Sequence, residues 1–206
     1  MSEPSEPNDL MYFWRENPLA MAECFWPGVQ FYDKQKQIIE SVRDDDETFV
    51  PAGNMLGKDF VSGFIALWYF IAFDPVRIVT TSVKDDHLRV LWGEINNFVR
   101  SAAVPLRDDE GGFLKVNHHD IRKTIGTSEG ITKSYLRGMV SAKGEGMAGH
   151  HAEFTLAIMD EASGIDDLVY TQAGTWAKKM LVIGNPNRCN NFFYHGVKGG
   201  NIVAED

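Results

Sequence analysis

The stretch Thr48-Phe49-Val50-Pro51-Ala52-Gly53-Asn54-Met55-Leu56-Gly57-Lys58-Asp59 decides how the chain reads. Three β-type residues lead into a turn of small residues, and Lys58 then opens a long apolar segment ending at Phe73. A strand that turns through glycine into a helix presents successive backbone N–H groups on one side, where phosphate oxygens can be cradled. A lysine at the helix start reaches the outer phosphates, and an oxygen ligand beside it serves Mg2+. Gly53, Asn54, Met55, Leu56, Gly57, Lys58 and Asp59 are therefore candidate phosphate-binding residues, with Asp59 also a metal ligand. Two positions depart from the pattern: Ala52 replaces the first glycine and Asp59 replaces Ser or Thr. Alanine is small enough, and a carboxylate can hold Mg2+ directly or through water, although it adds repulsion toward a triphosphate. A plain strand-to-helix turn accounts for the same residues, so the loop needs a second feature.

Working outward, residues 31–42 carry a helical apolar pattern, and residues 58–73 read as a helix that is apolar nearly all round and hence buried. Residues 77–81 are the next strand, and residues 84–100 an amphipathic helix with Leu88, Leu91, Trp92, Ile95, Phe98 and Val99 inward. Residues 113–116, 121–125 and 134–140 are short β-type pieces, followed by a glycine-rich segment, 142–151, expected to be a mobile loop. The runs 155–159 and 180–183 are almost wholly apolar and bracket a helical stretch from about 166 to 178. Such runs fit parallel strands covered on both faces, so the chain is predicted to be an α/β sheet protein.

The second feature is Leu156-Ala157-Ile158-Met159-Asp160-Glu161, a buried strand ending in two carboxylates roughly a hundred residues after the loop. At a strand's carboxyl end Asp160 can hold the Mg2+ water shell, and Glu161 can polarise an attacking water as general base. Two surface acids opening a helix explain the pair in isolation, but not its conjunction with a phosphate loop. Asn185, in Gly184-Asn185-Pro186, stands at the end of the next apolar run, where an amide can sense the terminal phosphate. Upstream, Gln35 can pair with an adenine edge and Tyr32 can pack on the base.

Composition narrows the class. The chain has 206 residues, 44% hydrophobic and 24% charged, which is globular usage and excludes disorder. No apolar run reaches the ~18 residues of a membrane span, and MSEPSEPNDL lacks the order of a secretion signal. With only Cys24 and Cys189, no disulfide framework is expected and a reducing compartment is. His118, His119, His150 and His151 lack paired-ligand spacing, so no metal besides Mg2+ is expected; His150 and His151 are expected to shape the loop before the acidic strand. The net charge of −9 is uneven: residues 1–50 hold 11 acids against 4 bases, leaving −2 for the other 156. Residues 111–144 are locally basic, with Lys115, Arg122, Lys123, Lys133, Arg137 and Lys143, and are either a DNA-binding candidate or an ordinary solvated face.

Together, residues 31–197 resemble the ATPase domain of the large terminase subunit of tailed bacteriophages, the motor that pumps viral DNA into capsids. The resemblance lies in Gln35, the loop ending Gly57-Lys58-Asp59, Val79-Thr80-Thr81-Ser82 and its helix, the Gly149-His150-His151-Ala152 approach to Asp160-Glu161, and Gly184-Asn185-Pro186 with Phe192-Phe193-Tyr194. It implies a RecA-like P-loop NTPase fold with a mainly parallel sheet flanked by helices, and ATP with Mg2+ as cofactors. Lys58 then binds phosphate, Asp59 and Asp160 serve the metal, Glu161 activates water and Asn185 couples hydrolysis to movement. The implied partners are double-stranded viral DNA, the portal protein, the small terminase subunit and further copies in a ring on the procapsid, the chain being monomeric when isolated and bound to no membrane. The implied location is the host cytoplasm, at the portal. Arg137 and Arg188, with Arg122 behind them, are candidates for the arginine that steadies transition-state charge. Residues 1–30, rich in Pro, Trp and Phe, are expected to pack on the motor as an extension, with 31–206 the ATPase domain. Terminases carry a nuclease domain after the motor, and 206 residues leave no room for it, so no DNA cleavage is expected. Competing readings are a helicase-like translocase or repair ATPase, and a nonhydrolytic nucleotide-binding interaction module.

Overall fold

The computed structural model describes residues 7–53, 56–124, 134–141, 146–186 and 190–199. Helices α1 (Pro7–Glu16), α2 (Pro18–Phe25) and α3 (Asp33–Asp44) precede strand β1 (Glu47–Pro51), and helix α4 (Lys58–Ala72) follows the glycine turn. Then come β2 (Val76–Ser82), α5 (Asp85–Ser101), β3 (Leu114–Asn117), β4 (Asp120–Lys123) and β5 (Tyr135–Val140). The chain continues with β6 (Phe154–Asp160), α6 (Asp167–Gly174), β7 (Lys179–Gly184) and α7 (Phe192–Gly199). The seven strands form one sheet in the order β1-β7-β6-β2-β5-β4-β3. Its first five strands are parallel, and β4 and β3 extend it as an antiparallel hairpin.

Strand alternation sorts the apolar runs onto two faces. Val50, Ile78, Leu156, Ile158, Leu181 and Ile183 join a core with α3, α4 and α5, whereas Phe49, Val79, Ala157, Met159 and Val182 join one with α6 and α7. Burial on both faces is why these strands are apolar without interruption. Helix α4 fills the first core and is buried from Val61 to Ala72, since it touches α1, α3 and α5 as well as the sheet. None of the described helices is long and apolar enough to cross a membrane.

The amino-terminal residues, for which the sequence suggested no element, form α1 and α2, with Pro18 at a helix start where its missing N–H costs nothing. Met21, Phe25 and Trp26 enter the same core as α4. The Trp26 indole donates to the Phe98 carbonyl at 2.8 Å and the Trp68 indole to that of Trp14 at 2.8 Å, satisfying buried polar atoms across the junction. Helix α6 stops at Gly174 rather than near 178, because Thr175 to Lys178 turn to feed β7. Of the loop expected over 142–151, residues 142–145 lie outside the described residues.

Candidate functional site

The order of the sheet assembles the site. Strands β1 and β6 are separated only by β7, so three parallel strands deliver the glycine turn, the acid pair and Asn185 to one carboxyl edge. The Ala52 N–H donates to the Gly184 carbonyl at 2.9 Å, tying the start of the turn to the end of β7. Ala52 is fully buried, so a small side chain is what this position admits. Gly57, just before α4, has φ 77°, and a Cβ there would lie 2.7 Å from Gln35 Nε2. Both the conformation and the space call for glycine.

Lys58 is the first residue of α4 and its side chain is only 8% exposed. Its Nζ lies 2.6 Å from Asp160 Oδ1, 3.0 Å from Glu161 Oε1 and 3.3 Å from Asp59 Oδ1. Burial opposes the ammonium charge, but Asp160, Asp59 and Glu161 outweigh it and hold the lysine pKa above its ordinary value. Burial pushes the Asp160 carboxyl up to about 6 against the pull of Lys58, and the charges of Asp59 and Glu161 push the same way. Asp160 Oδ2 is buried with no hydrogen-bond partner among the described residues. One cation thus faces three carboxylates, one of which keeps an unpartnered oxygen of the kind a hard divalent cation takes, although among the described residues no group of three acids, histidines or cysteines stands together as a metal cluster.

Glu161 has φ 55°, left-handed backbone that costs a non-glycine residue ~1–2 kcal/mol. Gly184 leaves room for this turn: a Cβ there would lie 2.7 Å from the Ala162 nitrogen. Asn191 secures the turn from the other side, its Nδ2 donating to the Ala162 and Ile165 carbonyls at 3.0 and 2.9 Å. Neither Asn191 nor His87, whose Nδ1 lies 3.7 Å from Glu161 Oε1, was singled out in the sequence. Only tertiary approach brings them here, and no local spacing signals it.

The other expected residues are placed as follows. The Tyr32 hydroxyl donates to the Leu56 carbonyl, and Gln35 is buried with Nε2 3.5 Å from the Gly57 carbonyl, so both touch the loop itself. Gly53 and Leu56 are half-buried in the turn, and half-buried Asn185 directly follows Gly184. Asn54, Met55 and Arg188 lie outside the described residues. Arg137 sits on β5, where Nε and Nη2 both donate to Asp120 at 3.0 and 2.9 Å, and Arg122 donates to the same carboxylate at 2.7 Å. The structure brings neither to the Lys58 cluster. The expected basic face also loses Lys123, which is buried against Phe73 and Asp74, while Lys133 and Lys143 lie outside the described residues. His150 is buried before β6, held by the Tyr135 hydroxyl and donating Nε2–H to the Gly146 carbonyl at 2.7 Å.

No protein-family model matches the chain. In sequence it is similar to a "Probable terminase, large subunit" of Enterobacteria phage P7, 25% identical over 197 residues that cover 90% of this chain. The chain spans 38% of the length of that curated relative. In structure it is similar to the large terminase ATPase domain of Thermus phage P74-26, with a TM-score of 0.62 at 17% identity, covering 85% of this chain and 72% of that one. It is also similar to the large terminase of a thermophilic bacteriophage in complex with ADP, with a TM-score of 0.55 at 16% identity, covering 85% of this chain and 45% of that one. The chain is therefore similar to a phage large terminase in sequence and to large terminase ATPase domains in fold, and the mainly parallel α/β sheet flanked by helices that the resemblance implied is the one observed.

Proposed function

We propose that this chain is the ATP-hydrolysing motor domain of a viral DNA-packaging terminase, coupling hydrolysis to the movement of duplex DNA into a procapsid. One observation carries the chemistry: the lysine that opens α4 and the acid pair at the end of β6 meet within 3.0 Å at one sheet edge. Similarity in sequence to a phage large terminase supports the packaging role.

Lys58 binds the outer phosphate oxygens with its ammonium group, and the backbone N–H groups of the turn surround them. Tyr32 and Gln35 flank the base side of the loop. Asp160, with its unpartnered Oδ2, and Asp59 would hold Mg2+, which when bound neutralises triphosphate charge. Glu161 accepts a proton from the attacking water as the water oxygen bonds to the terminal phosphorus and the bond to ADP breaks. Asn185 stands at the end of β7, between the strands that carry loop and acids, and there registers loss of the phosphate. Duplex DNA, the portal, the small terminase subunit and neighbouring copies in a ring are the partners of this reading. Arg188, or an arginine of a neighbouring copy, then supplies the transition-state cation, because Asp120 already engages Arg137.

Phosphate release from ATP with Mg2+ is the test, measured with and without duplex DNA at low and high protein concentration. Turnover that Glu161→Ala abolishes is expected. Absence of turnover under all of these conditions would overturn the motor reading, and strand separation during turnover would favour a helicase-like one.

A further inference from the structure

We propose that His87 is a positioning residue that orients the Glu161 carboxylate once Lys58 has turned to phosphate; the inference rests on the ATPase reading above. Among the described residues two basic groups face Glu161, and both approach the same oxygen: Lys58 Nζ at 3.0 Å and His87 Nδ1 at 3.7 Å. Lys58 cannot keep all its partners. Its ammonium has three hydrogens, already shared among Asp160, Glu161 and Asp59, and a phosphate must take at least one. The contact with Asp160 is the shortest, at 2.6 Å, so the longer ones, to Glu161 at 3.0 Å and to Asp59 at 3.3 Å, are the ones to yield.

Released from Lys58, Glu161 is a flexible side chain at the moment when its aim matters most. A displacement of ~1 Å in a reacting group can cost ~100-fold in rate. His87 is placed to prevent it. It stands in the first turn of α5, a helix pinned to the sheet by buried Leu88, Leu91 and Trp92, and the Trp92 indole donates to Thr80 Oγ1 at 2.9 Å. The segment leading into α5 also lies against the turn that carries Glu161: a Cβ at Gly164 would be 2.9 Å from Val83 Cγ2. The two backbones are fixed relative to each other while the ring, 44% exposed, remains free to rotate. The imidazole makes no hydrogen bond to any other described residue, and a small rotation brings Nδ1 from 3.7 Å into hydrogen-bond range.

The test compares wild type, His87→Leu and His87→Asn, since asparagine places an amide donor near the position of Nδ1 and leucine fills the space without one. ATP turnover is measured over a range of ATP concentrations, with fluorescent ADP affinity and thermal midpoint alongside. His87→Leu is expected to lose about 10- to 100-fold in kcat. KM, ADP affinity and thermal midpoint stay near wild type, and His87→Asn recovers most of the rate. Adding His87→Leu to Glu161→Gln is expected to cost nothing further, because both changes act through one carboxylate. Unchanged kcat in His87→Leu, equal losses in the leucine and asparagine variants, or a loss that falls on KM and ADP affinity would each overturn the proposal while wild-type turnover left the ATPase reading intact. A wild type without turnover would overturn both.

Discussion

Two buried lysines, Lys58 and Lys123, are equally hidden, with side chains 8% and 7% exposed, yet they sit in opposite kinds of surroundings. Lys123 donates to the Phe73 carbonyl at 2.7 Å and lies 3.3 Å from Asp74 Oδ1, which also accepts from Ser134 Oγ at 2.7 Å. Burial wins there and holds the Lys123 pKa below its ordinary value, although Asp74 opposes it. Around Lys58 three carboxylates reverse the balance, and one buried carboxylate oxygen is left over. The Lys123 cluster is complete and pins the connection between α4 and β2. The Lys58 cluster has negative charge in excess and one carboxylate oxygen without a partner. Completeness marks the frame, and polar surplus marks the site.

The strongest challenge to that contrast is Glu161→Gln. It keeps the shape of the side chain and removes one of the surplus charges, so kcat is expected to fall ~10²- to 10⁴-fold, the range for loss of a general base. Fluorescent ADP affinity should hold or rise, because less negative charge opposes the phosphates. A variant that hydrolyses ATP normally, or one that loses nucleotide affinity in step with rate, would remove Glu161 from the chemistry.

Next in size is the pH response of Asp160. Its folded pKa of about 6 lies above an unfolded value of ~4, so the folded state binds the proton more tightly. The associated stability is fully present below pH ~4 and is lost as pH rises through about 6, a change of about 3 kcal/mol. Urea midpoints of wild type should therefore drop relative to Asp160→Asn between pH 4 and 7. Added Mg2+ should recover the loss in wild type alone. Parallel curves for the two proteins would contradict the surplus-charge picture.

Lys123→Met probes the frame. It leaves Asp74 with Ser134 alone, and the expected cost is about 2 kcal/mol of stability, read as a lowered urea midpoint. ADP affinity and ATP turnover per folded molecule should not change. A loss of turnover without a loss of stability would mean that the two lysines are coupled.

The sequence disclosed these regions unequally, for physical reasons. β1, α4, β2, α5, β6 and β7 were legible because two-sided burial writes continuous apolar runs and one-sided burial writes a helical stripe. Lys58 and the pair Asp160-Glu161 were legible because a strand end and a helix start fix them locally. α1 and α2 were not, since their Pro, Trp and Phe content gives no clear helical stripe until Phe25 meets Trp14 and Trp26 meets α4 and α5. The pairing of Arg137 with Asp120 depends on antiparallel register between β4 and β5, which charge counting cannot see. His87 and Asn191 are likewise products of chain crossing, and the surplus at Lys58 emerges only once β7 is seen between β1 and β6.

The smallest effect tests whether strain belongs to the site side of the comparison. Among the described residues Glu161 is the one non-glycine position with positive φ, and it is itself the residue proposed as general base. Glycine ordinarily makes a chain less stable than alanine, because it gives up more freedom on folding. At φ 55° the order should reverse, since alanine keeps the Cβ that opposes left-handed backbone and glycine does not. Glu161→Gly should therefore be more stable than Glu161→Ala by about 1 kcal/mol, although both lack the base. Urea midpoints measured side by side give the sign directly. If alanine proves the more stable, the turn relaxes when the carboxylate is removed, and the left-handed backbone is then held by the contact with Lys58 rather than secured by Asn191.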